Sequence, residues 1–246
     1  MTQQQVPDSI VADDEHAVGH HKEASGHGMR WLGIATVIAL AIFIYTSFFF
    51  APEDDVQGVV QRIFYIHVAS AWIAAVAFFV VFVGSIMYLA KRDMRWDALA
   101  GASAEVGLLF TTVVLVTGML WGKAIWGVYW TWEPRLTSVL VLWLLYLAYV
   151  AIRAYVPERS RKARFAAVVG IVAFLDVPIV YLSVMWWRTL HPQQVIITEN
   201  GPQLPAGMLI AMLWGLVTFS LVYVYFVRMR LNINRLEEQI KREASK

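Results

Sequence analysis

Two histidines, His67 in "QRIFYIHVASAW" and His191 in "WWRTLHPQQ", stand on either side of the stretch "WGKAIWGVYWTWEPRLTS" (121–138). That stretch holds four of the chain's eleven tryptophans, at 121, 126, 130 and 132. The chain has no cysteine, which excludes a disulfide framework, a thiol nucleophile and thiolate metal ligation, so imidazole is its strongest transition-metal ligand. Crowded indoles offer a large flat ligand apolar contact and offset stacking. If 121–132 were one helix, Trp126 and Trp130 would share a face while Trp121 and Trp132 lay nearly opposite. Gly122 and Gly127 weaken such a helix, so an irregular or broken aromatic shelf is the better expectation. At its end, Pro134 keeps Glu133 extended and suits the first turn of the helix that follows. Arg135 then falls in that turn. Glu133 either offsets the charge of Arg135, or the free N–H groups, the helix dipole and the guanidinium together form an anion site for a carboxylate.

The elements that position these residues are apolar. Of 246 residues, 59% are hydrophobic and only 15% charged, far from the composition of a soluble domain. Six stretches, near 31–50, 63–90, 98–120, 135–156, 166–187 and 205–227, are each long enough to cross a hydrocarbon core of about 30 Å. The expected fold is all-α: a polytopic bundle of six transmembrane helices over 31–228, with short connectors and no internal repeat. Residues 1–30 read as a disordered polar tail carrying His16, His20, His21 and His27, and 229–246 as a charged tail able to meet lipid or a partner. Sixteen Lys and Arg fall on the connectors that include both termini; only Arg62, Lys123, Arg135 and Arg188 fall on the other set. Basic residues stay inside. Both termini are therefore expected in the cytoplasm, with the tryptophan stretch, His67 and His191 at the outer membrane surface.

That placement joins the pieces. A flat apolar ligand with carboxylate arms is haem, and two imidazoles on one side of the membrane can supply both axial ligands to its iron. Trp121, Trp126, Trp130 and Trp132, with Glu133, form the expected platform. Arg62, Arg135, Arg188 and Lys123 are candidates for the propionates. Each has an ordinary alternative: Arg62 can pair with Glu53, Asp54 or Asp55, the tryptophans can be an interfacial belt, and a lone histidine is more often a hydrogen-bonded structural residue than a ligand.

The run Trp121-Gly122 … Trp126-Gly127 … Trp130-Thr131-Trp132-Glu133-Pro134-Arg135-Leu136-Thr137-Ser138 resembles the "WWD" signature of haem-handling proteins of cytochrome c maturation. With six spans, a histidine on either side, "SAEVGLLFTTVVLVTG" before and "DVPIVYLSVMWWRTLHP" after, residues 31–228 resemble the haem exporter protein C (CcmC) family. Glu133 stands where the signature's name has Asp. The resemblance implies haem b held at the periplasmic face of a bacterial inner membrane, with His67 and His191 as axial ligands. It further implies delivery to a periplasmic haem chaperone (CcmE-like). The implied companions are an ABC-type ATPase subunit (CcmA-like), a membrane subunit (CcmB-like) and a small single-span protein (CcmD-like), in a carrier role and not an enzymatic one.

Other chemistry is scarce. No G-x-x-x-x-G-K-[ST], H-E-x-x-H or G-x-S-x-G occurs, so any ATP-driven step needs a partner. Nothing points to nucleic acid. Glu105 and Asp176 lie within apolar spans, where an acid is costly and marks either a site or an interhelical contact. An ion-coupled transporter or channel using these acids is the alternative reading, and it predicts that the acids matter and the external tryptophans do not. A direct haem lyase is a third, but the larger WWD proteins that resemble one carry external domains with no counterpart here.

Overall fold

The computed structural model describes residues 8–187, 189–191, 201 and 203–245, with side chains from residue 27 onward. The helices are α1 Asp8–Tyr45, α2 Ile63–Lys91, α3 Met94–Trp126, α4 Pro134–Tyr155, α5 Arg159–Phe174, α6 Asp176–Trp186 and α7 Ala206–Ala244. A π turn, Thr46–Phe50, extends α1, and a 3₁₀ turn, Val59–Arg62, leads into α2. Among the described residues the secondary structure is helical, with no strand beyond one isolated bridge between Asp54 and Gly58.

Six segments are long and apolar enough to span a membrane: His27–Phe50, Val59–Lys91, Met94–Trp126, Pro134–Tyr155, Arg159–Trp186 and Ala206–Ala244. They are the six stretches read from the sequence, lengthened at most of their ends. The added turns hold residues that an apolar window excludes, such as Arg159 and Arg161 at one end and Lys123 at the other. The backbone from Asp8 to Arg30 is also helical, where polarity predicts a disordered tail. No proline occurs between Pro7 and Pro52, so nothing interrupts that ladder. The fifth span is broken. Pro178 lacks an N–H and its ring collides with the carbonyl four residues back, so α5 stops at Phe174, Leu175 makes a turn, and α6 restarts at Asp176.

Helices α2 and α3 form a central hairpin. It is closed by Arg92 in the left-handed conformation (φ 57°) and by Asp93, whose side chain caps α3 by accepting from Arg95 N at 2.9 Å. Their seam uses small side chains, as close approach in a bundle requires: Ala74, Ala77, Ala100 and Ala104 are buried, and a Cβ on Gly107 would come within 2.6 Å of the Phe78 ring. Helices α1 and α7 pack together, α7 lies on α2 and α3, α4 packs on α3, and α5 on α2. Polar side chains stitch the helices: Ser103 Oγ lies 2.9 Å from Tyr223 Oη, and Thr218 Oγ1 donates to Ala39 O at 3.1 Å.

Charges inside the bundle are paired at the arginine-rich end. Arg153 of α4 grips Asp97 of α3 through two bonds, of 2.5 and 3.2 Å. Arg230 of α7 grips Glu105 at 2.6 and 3.1 Å. Removing one member of a buried pair strands the other. Arg153→Ala is therefore expected to cost about 3–5 kcal/mol, read as a lowered unfolding midpoint in detergent. The double change Asp97→Leu with Arg153→Leu should cost less than the single one.

Candidate functional site

At the opposite end of the hairpin, the first turns of α2 face the last turns of α3. His67 Nδ1 lies 2.9 Å from Thr117 Oγ1. The Thr117 hydroxyl proton is already committed to Val113 O at 2.6 Å. The oxygen is therefore the acceptor and Nδ1–H the donor, which fixes the tautomer and leaves Nε2 with its lone pair. A Cβ on Gly118 would sit 3.2 Å from His67 Cε1, so glycine there makes room for the ring. Trp121 meets the same ring edge-on at 5.8 Å, and its own N–H donates to Gln57 Oε1 at 2.8 Å.

Helix α3 runs through Trp121 and Trp126 before it ends. Gly127 then takes a left-handed φ of 78°, which other residues rarely adopt. Lys123 Nζ donates to Gly127 O at 2.8 Å and lies 5.3 Å from the Tyr129 ring centre. Residues 127–133 are irregular and carry Trp130 and Trp132, packed edge to face at 5.6 Å. Pro134 opens α4, with Arg135 in its first turn.

The shelf is thus half helix and half loop. These pieces enclose one pocket, with about 870 Å³ of atom-free space, part of it open to the surroundings. Its wall holds His67, His191, Trp121, Trp126, Trp130 and Arg135, together with Gln57, Gly118, Met119, Leu136, Val139 and Val180. Its surface is mostly aliphatic and aromatic, with one guanidinium and two imidazoles. Trp130 Nε1 is buried and has no hydrogen-bond partner among the described residues.

Residues 16–246 match the family described as CcmC, heme exporter protein C. The chain belongs to the heme exporter protein C family. It is 41% identical over 196 residues to "Heme exporter protein C" of Bradyrhizobium diazoefficiens, covering 80% of this chain and 74% of that one. It is 33% identical over 210 residues to the protein of the same name in Escherichia coli strain K12, covering 84% and 83%. A "Putative cytochrome c biosynthesis ccmC-like mitochondrial protein" of Marchantia polymorpha is 34% identical over 188 residues, covering 76% and 79%.

In this member of the heme exporter protein C family the pocket gathers both histidines, three of the four signature tryptophans and Arg135. The other residues singled out from the sequence sit elsewhere. Trp132 is 76% exposed and outside the wall. Arg62 lies 3.8 Å from Glu53. Lys123 closes the end of α3 as described. Arg188 lies outside the described residues. Glu105 is held by Arg230, and Asp176 sits at the start of α6 with Oδ2 buried and without a partner. Glu133 accepts from the Thr189 hydroxyl and from Leu190 N at 2.8 Å, so its bonds run to the segment that precedes His191. No group of three or more His, Asp or Glu suited to a bare metal ion occurs among the described residues.

Sequence reasoning passes over Thr117, Gly118, Gln57 and Thr189. One signal was available: Thr117 and Gly118 lie four and three residues before Trp121, hence on its helical face. Thr117→Val keeps the shape and removes the acceptor. In ¹⁵N-histidine NMR of the purified protein, His67 should show Nδ1–H as the dominant tautomer, and the valine variant a mixture; an unchanged pattern would count against this assignment.

Proposed function

We propose that this chain is a haem-handling membrane subunit of cytochrome c maturation, which holds haem b in the indole-lined pocket and passes it to a periplasmic haem chaperone. The observation that carries the reading is the convergence, in one apolar pocket, of two imidazoles, an arginine and three indoles from α2, α3, the 127–133 segment, α4 and the 189–191 segment. In bound haem the iron accepts two nitrogen ligands. His67 supplies Nε2 from a ring whose other nitrogen is already bonded, and His191 supplies the second imidazole. Arg135, at the positive end of α4, takes a propionate. Trp126 and Trp130 lie against the macrocycle, and Trp130 Nε1 offers an unused donor. Trp121 and Gln57 keep His67 in place.

The Lys/Arg bias supports an orientation with both termini in the cytoplasm and the pocket at the periplasmic face of a bacterial inner membrane. The relatives' names, "Heme exporter protein C" and "cytochrome c biosynthesis", support work within an export complex. The sequence has no nucleotide-binding motif of its own, so energy from ATP enters through an ATPase partner (CcmA-like), beside CcmB-like and CcmD-like membrane subunits and a CcmE-like acceptor. The role is that of a carrier which presents its cargo. For the transporter alternative, the Glu105–Arg230 pair is unfavourable, since that acid is engaged at the basic edge of the bundle.

The test is spectroscopic. Protein purified in detergent and loaded with haem should show the low-spin spectrum of a bis-imidazole complex, and His67→Ala or His191→Ala should abolish it. Arg135→Gln should weaken haem retention roughly 10–100-fold, the worth of one charge-assisted hydrogen bond. Protein that takes up no haem, or keeps a low-spin spectrum in both alanine variants, overturns the reading.

A further inference from the structure

The two histidines are carried by different kinds of backbone. His67 is carried by an α-helix, hydrogen-bonded to Thr117, packed on Trp121 and walled by Gly118. His191 is carried by a non-helical segment, past the end of α6 at Trp186. That segment is tied back to the start of α4 through a short relay. Glu133 Oε2 accepts from the Thr189 hydroxyl and from Leu190 N (2.8 Å), and Thr189 Oγ1 in turn accepts from His191 N at 3.0 Å. Thr189 thus spends its proton on the carboxylate and its lone pair on the backbone of the histidine. Glu133 stands at the N-cap of α4 without a capping bond to its own helix. Its other oxygen, Oε1, is buried and has no partner among the described residues. The carboxylate is satisfied on one side only, so the closed arrangement carries the cost of a buried acceptor left unpaired.

We propose that Glu133 is the positioning residue of His191, acting through Thr189, and that this latch slows the departure of His191 when the bound haem is handed over. The inference rests on the haem reading above. It moves Glu133 from the haem platform to the support of an axial ligand.

Carbon monoxide binding to the ferrous, haem-loaded protein tests this, because on a six-coordinate iron its rate reports the departure of one endogenous ligand. Glu133→Ala and the near-isosteric Thr189→Val should each speed that step by about tenfold or more, the usual scale for losing a ligand's supporting bond. They should also shift the resting spectrum toward a five-coordinate form that added imidazole converts back to low-spin. Thr189→Ser, which keeps the hydroxyl, should restore wild-type behaviour. Wild-type rates and spectra in both Glu133→Ala and Thr189→Val overturn the proposal. Failure of the haem reading itself looks different: the wild-type protein then shows no bis-imidazole spectrum to perturb.

Discussion

One hydrogen bond, from His67 to Thr117, sets the terms for the rest of the site. It crosses the α2–α3 seam at the end where the two helices carry the pocket. It can form only because the seam below is made of alanine and glycine, which let the backbones come close. A bulkier seam would part the helices and leave the ring without its acceptor. The geometry of the imidazole is therefore a product of packing far from it, at Gly107, Ala77 and Ala104 as much as at Thr117.

Polar chemistry is divided between the two ends of the bundle. At the arginine-rich end, Asp97 and Glu105 are matched by Arg153 and Arg230 and are spent on holding α3, α4 and α7 together. At the indole-rich end, Trp130 Nε1, Thr131 Oγ1, Thr137 Oγ1 and Glu133 Oε1 are buried without partners among the described residues. Native interiors seldom leave such atoms unmatched.

The spans were legible because each is a long, predominantly apolar run, and the interruption of the fifth followed from Pro178. The reach of α3 was not. An apolar window ends near residue 120, yet the ladder continues to Trp126, since tryptophan and lysine are acceptable helix residues and only Gly127 stops it. His67, His191, Trp121, Trp126, Trp130 and Arg135 were legible as a set from residue type and side of the membrane. Which cations face the pocket was not. Arg62 and Lys123 find local partners, Glu53 and the Gly127 carbonyl, that spacing does not reveal. Least legible was Glu133, because its bonds go to Thr189 and Leu190, more than fifty positions on.

The turn that begins at Gly127 has a bearing on how such chains can vary. Residues 127–133 connect two stiff rods, α3 and α4, whose placement is decided elsewhere in the bundle. One residue added or removed there would displace Trp130 against His67 by about 3.3–3.6 Å, more than the tolerance of any stacking contact. Substitution can be borne at several points of this bridge, but a change in its length cannot. Its residue count is thus a dimension of the cavity in its own right, as fixed as any side chain in the wall.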